Sequence, residues 1–290
     1  MLRTAPRRAT ADAGGTPVLP ARWVDSSNSP RSRTQHFPFL PSCFPDSSSQ
    51  LHARLDGEAS YPDAVTLSLV IPALNEAVEL PETLRRARLV PEVCEIILVD
   101  GGSRDGTPAL AAQLGCKVIA SERGRGLQLR AGAAQATGDV VVLLHADTWL
   151  PPETGRAIAD CLRDARVVGG GCYKVFREPP SWLVRGSRFK CWWRLLVAGR
   201  VMGDQAMFIH RDVLEQVGGV PDVPLMEEFE LCRLLRARGR LALADATVVT
   251  SARRFAKLGV LRTYARMWHV TLLYHLGKPL PELRKIYERE

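Results

Sequence analysis

Short runs of aliphatic residues alternate with amphipathic segments from residue 65 onwards. Residues 67–71, 95–99 and 140–144 are mostly apolar, and runs this short are typical of strands buried on both faces of a parallel sheet. Helical periodicity follows the first two runs, over residues 80–89 and 107–114. The repeated order of strand, polar turn and helix predicts βαβ units joined by right-handed crossovers.

The same kind of pattern continues to residue 290. It predicts one α/β domain over residues 65–290, with helices at its C-terminal end. A Gly-rich segment at Gly124 and Gly126 precedes one of these helices. We expect further strands at residues 117–120, 167–176, 206–209 and 241–249, and further helices ending at residue 136 and spanning residues 151–163, 182–201, 227–238 and 258–276.

Residues 1–64 differ in composition from the rest of the chain. They are rich in Arg, Ser and Pro, contain few acidic residues and lack the apolar segment of a secretory signal. This composition predicts an extension outside the folded domain, and it resembles that of an organellar transit peptide. A transit peptide would direct the protein to a plastid or a mitochondrion. The alternative is a disordered tail or a start site assigned too far upstream, with a cytoplasmic location.

Charge and cysteine content narrow the range of partners. The net charge is +8, and Arg supplies most of the basic residues. This excess is consistent with an ordinary solvated surface, and it also suits anionic diphosphate substrates or an anionic membrane surface. Nucleic acid is disfavoured because no aromatic-interleaved basic patch is present. The seven cysteines include no C-x-x-C pair, which favours a reducing compartment and argues against disulfides or a zinc ribbon. No run of 18 apolar residues occurs, so we expect no transmembrane span.

Polar turns follow three of the predicted strands. Asn75 and Glu76 follow the first, Asp100 begins the turn after the second, and His145 and Asp147 follow the third. Parallel strands bring their carboxyl ends to one edge of a sheet, where α/β proteins bind ligands. Carboxylate oxygens together with an imidazole suit a divalent cation such as Mn²⁺. We therefore expect a site for a cation and phosphate groups at this edge.

Asp100 is the candidate for recognising a nucleotide base. A carboxylate accepts a hydrogen bond from the ring imide of uracil, thymine or guanine, and adenine and cytosine present no such group. Asn75 and Glu76 would line the same base–ribose pocket. The alternative is that Asn75 caps the following helix and Glu76 is an ordinary acid of its first turn.

Together these turns resemble a known family. Residues 68–76, 99–107 and 143–148 are similar to the three sequence blocks of family 2 glycosyltransferases with the GT-A fold. More narrowly, the chain resembles short glycosyltransferase-like proteins often encoded near radical-SAM enzymes, which share the motifs at residues 99–103, 145–148, 203–205 and 251–254. The resemblance extends from residue 65 to the C-terminus. It implies an α/β fold with a Rossmann-like, mostly parallel central sheet flanked by helices.

The resemblance also implies roles for individual residues. Asp147 would bind the cation, and His145 replaces the first Asp of the family's Asp-x-Asp motif. Gly101 stands where the family more often has a second Asp after Asp100. Glu228 takes the position of the general base of inverting enzymes, and Glu227 would position it. We expect further contacts to the nucleotide from Asn75, Glu76, Gly102, Ser103, Asp105 and Arg125, and contacts to the acceptor or the diphosphate from Asp204, Gln205, Arg253 and Arg254.

Together with these residues, the resemblance implies an inverting glycosyltransferase that uses a UDP- or GDP-linked sugar with Mn²⁺ or Mg²⁺. Its acceptor is an unidentified hydroxyl, for which a lipid-linked molecule is one candidate. A nucleotidyltransferase of related fold usually has a Gly-rich basic loop after the first strand, and residues 72–76 provide none. A dinucleotide oxidoreductase needs G-x-G-x-x-G after an early strand, and Gly124 and Gly126 lack the third glycine. A nucleotide-sugar-binding protein with a degenerate site is a further alternative.

Residues 182–201 combine apolar and basic side chains at helical spacing. We expect a helix packed over the acceptor cleft, and the alternative is a helix that lies in a membrane interface, where it makes peripheral contact and captures a lipid-linked acceptor. The residues concerned are Trp182, Phe189, Trp192, Trp193, Leu195 and Leu196, with Arg185, Arg188, Lys190 and Arg194.

Overall fold

The computed structural model describes residues 65–178, 181, 182, 184 and 188–288. The predicted extension over residues 1–64 and the basic residue Arg185 lie outside the described residues. The strands are β1 (Leu67–Ala73), β2 (Val93–Asp100), β3 (Lys117–Ala120), β4 (Val140–Leu143), β5 (Thr148–Trp149), β6 (Val167–Arg177), β7 (Met207–His210) and β8 (Arg240–Ser251). The helices are α1 (Leu80–Ala87), α2 (Thr107–Gln113), α3 (Arg125–Ala133), α4 (Thr154–Leu162), α5 (Arg188–Ala198), α6 (Arg211–Gln216), α7 (Glu227–Arg236), α8 (Arg253–Leu258), α9 (Val260–His275) and α10 (Leu280–Glu288), with a 3₁₀ turn at Gly203–Gln205.

The first four strands form the parallel part of the sheet. In the described part of the chain the strand order is β3-β2-β1-β4-β7-β6-β8-β5. Strand β1 pairs in parallel with β2 on one side, where Ala73 lies beside Asp100, and with β4 on the other, where Val70 lies beside Leu143. The predicted βαβ arrangement is confirmed, and the polar turns after β1, β2 and β4 therefore share one edge.

The second half of the sheet is mixed. Strand β7 runs antiparallel to both β4 and β6, β6 is parallel to β8, and β5 is antiparallel to β8. Four of the seven neighbouring strand pairs described are parallel. A Cβ atom at Gly170 would lie 1.9 Å from the carbonyl oxygen of Ala242, so β6 can approach β8 this closely only with glycine there.

Helices cover both faces of the sheet because the central strands are apolar on both sides. Leu69 and Ile71 of β1 belong to one core cluster, which includes side chains of α1, α2 and α4. Val70 points to the other cluster, which includes side chains of α3, α6 and α7. This alternation is that of a strand with two buried faces. In the part of the chain that the structure describes, no helix is both long enough and apolar enough to span a bilayer.

The predicted packing of the basic aromatic helix is wrong. Phe189 and Trp193 are 66% and 53% exposed, and Trp182 before the helix is 80% exposed. Helix α5 makes its inward contacts through Cys191, which is buried, and through Leu195. The aromatic side of the helix therefore faces outward instead of covering a cleft.

Candidate functional site

The turns after β1 and β2 are tied together by their polar side chains. Asp100, at the end of β2, is buried and accepts hydrogen bonds from the backbone N–H groups of Gly102 and Ser103, both at 3.0 Å. The Ser103 hydroxyl accepts a hydrogen bond from the N–H of Asn75 at 2.9 Å, and the Asn75 side chain accepts one from the N–H of Arg104 at 2.8 Å. Asn75 holds a left-handed backbone conformation, with φ of 56°. These contacts fix the shape of the edge at which the nucleotide is predicted to bind.

The Asp105 carboxylate likewise accepts hydrogen bonds from backbone groups of both turns. Its oxygens accept hydrogen bonds from the N–H groups of Ala77 and Thr107, each at 3.0 Å, and from the Thr107 hydroxyl at 2.5 Å. The Thr107 hydroxyl, followed by the Ala77 amide, lowers the pKa of Asp105 below its ordinary value. Asp105 therefore joins the turn after β2 to the turn after β1.

The Gln128 side chain occupies the space that a side chain at position 101 would need. The Gln128 amide is buried and donates to the carbonyl oxygens of Ala73 and Val99 at 2.9 and 2.8 Å. A Cβ atom on Gly101 would lie 3.0 Å from the end of this side chain. The space beside Asp100 is thus filled from α3, and no motif in the sequence indicated this contact.

A cavity of about 460 Å³ lies beyond the carboxyl ends of β1 and β4. Predicted site residues on its wall are Glu76, Arg125, His145, Asp147, Glu227, Glu228, Arg253 and Arg254. The other predicted residues, Asn75, Asp100, Gly102, Ser103, Asp105, Asp204 and Gln205, are not among its lining residues. Side chains that the sequence did not suggest complete the wall, among them Met267, Val270 and Thr271 of α9 and Tyr287 of α10.

Arg125 joins the two carboxylates at the start of α7. Its guanidinium donates to Glu228 Oε1 at 3.1 Å, and its Nε lies 3.2 Å from Glu227 Oε1. The Glu227 and Glu228 side chains are only 7% and 12% exposed. Burial alone would lower the pKa of Arg125, but Glu228 and then Glu227 raise it, so this residue is a permanent cation.

The two carboxylates differ in their affinity for a proton. Burial, and then the charge of Glu228, raise the pKa of Glu227 to about 7. Burial would also raise the pKa of Glu228, but the attraction of Arg125 outweighs it and lowers that pKa below its ordinary value. Glu228 is therefore charged near neutral pH, whereas Glu227 exchanges a proton there.

His145 lies on the same wall as a neutral imidazole. Burial, and then the positive charge of Arg125, lower its pKa to about 3. Its Nε2 atom is buried and has no hydrogen-bond partner in the described part of the chain. A Cβ atom on Gly203 would lie 1.7 Å from the Arg125 guanidinium and 3.0 Å from this Nε2, so the glycine gives both side chains their room.

Asp204 and Gln205 lie behind this wall. Asp204 pairs with the buried Lys174, whose charge lowers the Asp204 pKa although burial acts to raise it. Gln205 is 1% exposed, donates to the Cys172 carbonyl at 2.9 Å and accepts from the Met202 N–H at 3.0 Å. Gln205 therefore holds the 3₁₀ turn against β6, and the structure does not place it at the cavity.

Asp147 faces cationic and anionic neighbours at the edge of β4. Its Oδ2 lies 3.3 Å from Nε of Arg253, whose other nitrogens donate to both carboxylate oxygens of Glu76. Burial raises the pKa of Asp147, more strongly than Arg253 lowers it. Arg254 lies over the ring of Tyr287, with its central carbon 4.3 Å from the ring centroid, and donates to the Tyr287 hydroxyl.

The residues at this edge fit a divalent cation that is shared with phosphate. Among the described residues, no three His, Cys, Asp or Glu side chains form a ligand cluster, so the protein would supply few ligands. Mg²⁺ and similar ions commonly bind through one or two carboxylates together with substrate phosphates and water. Asp147 provides a carboxylate, and the unpartnered Nε2 of His145 is a ligand that Mn²⁺ accepts.

Structural similarity supports the GT-A fold. A mannosyltransferase from Pyrobaculum calidifontis, solved with GDP-Man and Mn²⁺, has a TM-score of 0.55 at 20% identity, over 83% of this chain and 75% of the other. Glucosyl-3-phosphoglycerate synthase from Mycobacterium tuberculosis, solved with Mn²⁺, UDP and glucosyl-3-phosphoglycerate, has a TM-score of 0.53 at 22% identity, over 85% and 88% of the two chains.

Sequence similarity agrees with the fold. An undecaprenyl-phosphate 4-deoxy-4-formamido-L-arabinose transferase from Pseudomonas paraeruginosa is 41% identical over 99 residues, which are 30% of this chain and 29% of that protein. The matched part is thus less than a third of that relative's length. The family described as "Glycosyl transferase family 2" matches residues 68–217, just over half of the chain. The narrower resemblance to proteins encoded near radical-SAM enzymes stays a prediction. The chain belongs to glycosyl transferase family 2.

Proposed function

We propose that this protein is an inverting glycosyltransferase that transfers a sugar from a nucleoside-diphosphate sugar to a hydroxyl acceptor. The observation that supports it is that Asp147, Arg125 and the Glu227–Glu228 pair line one cavity at the carboxyl edge of the sheet. A carboxylate that would hold the cation on the diphosphate and a carboxylate that would act as base would then face the same substrate. Family membership agrees with this chemistry.

Glu228 is the proposed general base. As the acceptor oxygen attacks the anomeric carbon, the bond from that carbon to the diphosphate oxygen breaks and its electron pair leaves with the diphosphate. The acceptor proton passes to the Glu228 carboxylate. Arg125 keeps Glu228 ionised before the reaction, and Glu227 would position the pair. Glu227 is the second candidate for the base, because a pKa of about 7 suits proton transfer near neutral pH.

Asp147 would hold a divalent cation, with His145 as a further ligand or as its neighbour. When bound, such a cation neutralises the charge that develops on the leaving diphosphate. Arg253 and Arg254 lie on the same wall and add positive charge for phosphate oxygens. The mannosyltransferase and synthase structures contain Mn²⁺, which favours Mn²⁺ as the first ion to test.

For the donor and the acceptor we propose a chemical class. The solved neighbours contain GDP-Man in one case and UDP in the other, which favours a uracil or guanine nucleotide. Asp100 would accept a hydrogen bond from the ring imide that both bases present, in addition to those it accepts from Gly102 and Ser103. The undecaprenyl-phosphate transferase relatives favour a lipid-linked acceptor.

A donor panel tests the proposal. The full chain is incubated with UDP-, GDP- and dTDP-sugars and Mn²⁺, and release of the free nucleoside diphosphate is measured. We expect slow release from one donor class, and a large loss in Asp147→Ala. The matched control is Asp160→Ala, because Asp160 lies on α4 away from the cavity and is 49% exposed. Binding of a nucleotide sugar without turnover of any donor would support a binding protein instead.

A further inference from the structure

The outer face of α9 is apolar. Leu261, Trp268 and Leu272 of α9 and Leu276, which directly follows it, recur at spacings of seven, four and four residues, which places them on one side of the helix. They are 76%, 74%, 45% and 72% exposed. The opposite side carries the buried residues Thr263 and Val270. An exposed apolar stripe on a surface helix is the reverse of the usual pattern, and such patches mark contact with a partner or a membrane.

Helix α5 has the same reversed pattern. Cys191 is its buried residue, whereas Phe189, Trp192, Trp193, Leu196 and Val197 are each 46% to 66% exposed. The three aromatic rings form a cluster on the surface, with centroids 5.9 to 6.4 Å apart. Helix α5 therefore presents a second apolar stripe, and this one is rich in aromatic residues.

The two helices that carry these stripes meet near their C-terminal ends. Arg200, just beyond α5, contacts His275 at the end of α9, with 2.8 Å between the nitrogens. Burial raises the pKa of Tyr264 on α9, and the charge of Arg194 on α5 acts to lower it. We call the exposed apolar residues of these two helices the α5–α9 face.

The charged side chains that α5 and α9 themselves contribute are all basic, although Arg188 of α5 pairs with Asp245 of β8 at 2.5 Å. Neither helix contains an Asp or a Glu, whereas together they contain Arg188, Lys190, Arg194, Arg262 and Arg266, and α9 adds two histidines. Trp at an apolar face with Arg and Lys beside it is the composition of a helix that lies in the interface of an anionic bilayer. A second copy of this chain would bring two such basic surfaces together, which like charges oppose.

Helix α9 also connects this face to the cavity. Met267, Val270 and Thr271 line the cavity, and Trp268 between them points outward. A helix with its side chains is only about 10 Å across, so the cavity and the outer face are one helix apart. A membrane on the α5–α9 face would thus lie close to the cavity.

We propose that the α5–α9 face binds the surface of an anionic lipid bilayer and so brings the cavity next to membrane-borne acceptors. The aromatic and aliphatic side chains would enter the interface, and the Arg and Lys side chains would contact anionic headgroups. The acceptor part of the proposal rests on the proposed transferase function, but binding to the bilayer does not.

Vesicle flotation of the full chain tests this proposal. Vesicles of phosphatidylcholine alone are compared with vesicles that contain 30% phosphatidylglycerol. We expect binding to the anionic vesicles, and a loss of at least tenfold in the partition coefficient in the double variant Trp192→Ser, Trp268→Ser, because each large side chain loses apolar burial. Lys190→Gln with Arg262→Gln should reduce binding by roughly 25-fold, at about fivefold for each basic residue. The control is Val78→Ser with Leu89→Ser, which removes exposed apolar residues of another surface.

Three results would overturn the proposal: equal binding of wild type and the Trp variant, no binding to anionic vesicles, or equal binding to both vesicle types. If neither protein floats, and the wild type is a dimer whereas the Trp variant is a monomer, the face binds a second copy of the chain instead of a membrane. Calorimetric titration of UDP and GDP with Mn²⁺ is run on every variant without vesicles. If the wild type floats with anionic vesicles but binds neither nucleotide, the proposed transferase function is wrong and the membrane proposal stands. If it binds a nucleotide but does not float, the membrane proposal is wrong and the transferase function stands.

Discussion

Replacing Arg125 with Met should destabilise the folded protein in a pH-dependent way. Arg125 pairs at 3.1 and 3.2 Å with two carboxylates that are almost fully buried. Removing one partner of a buried ion pair costs about 3–5 kcal/mol, and because the Arg125 side chain is itself 35% exposed we expect the lower end, about 3 kcal/mol. For a domain of this size that corresponds to a fall of roughly 6–12 °C in Tm.

The pH dependence has a definite sign. Without Arg125, the pKa of Glu228 should rise, because the attraction that lowers it is gone while burial remains. A carboxyl group whose pKa is higher in the folded than in the unfolded protein binds more protons when folded, so stability falls as the pH rises through that interval. The loss in Arg125→Met should therefore be large at pH 8 and smaller at pH 5.5.

Urea unfolding followed by tryptophan fluorescence at both pH values measures this loss. Arg130→Met on the same helix is the matched control, because Arg130 is exposed and donates to the carbonyl oxygen of Val220. Adding Glu228→Gln to Arg125→Met should recover part of the stability at pH 8. A loss under about 1 kcal/mol at pH 8, or an equal loss at both pH values, would refute the buried ion-pair reasoning.

Three other changes test separate parts of the account. Asp147→Ala should abolish the Mn²⁺ dependence of UDP or GDP binding in calorimetric titration; full metal dependence in the variant would contradict the cation role. The wild-type protein should lose about 3 kcal/mol of stability as the pH rises from 4.5 to 7, because the pKa of Glu227 rises from 4.5 to about 7 on folding. The Glu227→Gln variant should not show this loss. Unfolding curves across this pH range that match the wild type would rule that out. Deleting residues 1–60 should leave a cooperatively melting, active domain, and loss of cooperative melting would show that the extension belongs to the fold.

The sheet edge could be predicted because its signal is local. A short apolar run followed by His145 and Asp147 is enough to predict a buried strand that ends in polar ligands, and the structure ends β4 at Leu143. The contacts within the site could not be predicted in this way. Arg125 is 103 residues from Glu228, and Arg253 is 177 residues from Glu76, so no spacing in the sequence relates them.

Two further features depend on three-dimensional contacts. Asp105 and Gln205 are polar residues in turns, and only the structure shows that their side chains bond to nearby backbone instead of facing the cavity. For α5, the periodicity predicts that one face is apolar, but it does not determine which face is buried. Cys191 supplies the buried contact, and the aromatic residues face outward.

Paired substitutions at the start of α7 test the proposed chemistry most directly. Glu228→Gln keeps the size and hydrogen-bonding reach of the side chain and removes the base, so the turnover of the active donor should fall by about 10²–10⁴-fold. The affinity for UDP or GDP with Mn²⁺, measured by calorimetry, should change little. Glu227→Gln should reduce turnover less. If Glu227→Gln abolishes turnover while Glu228→Gln is nearly wild type, Glu227 is the base; if both keep wild-type turnover, the base lies elsewhere and the proposed mechanism is wrong.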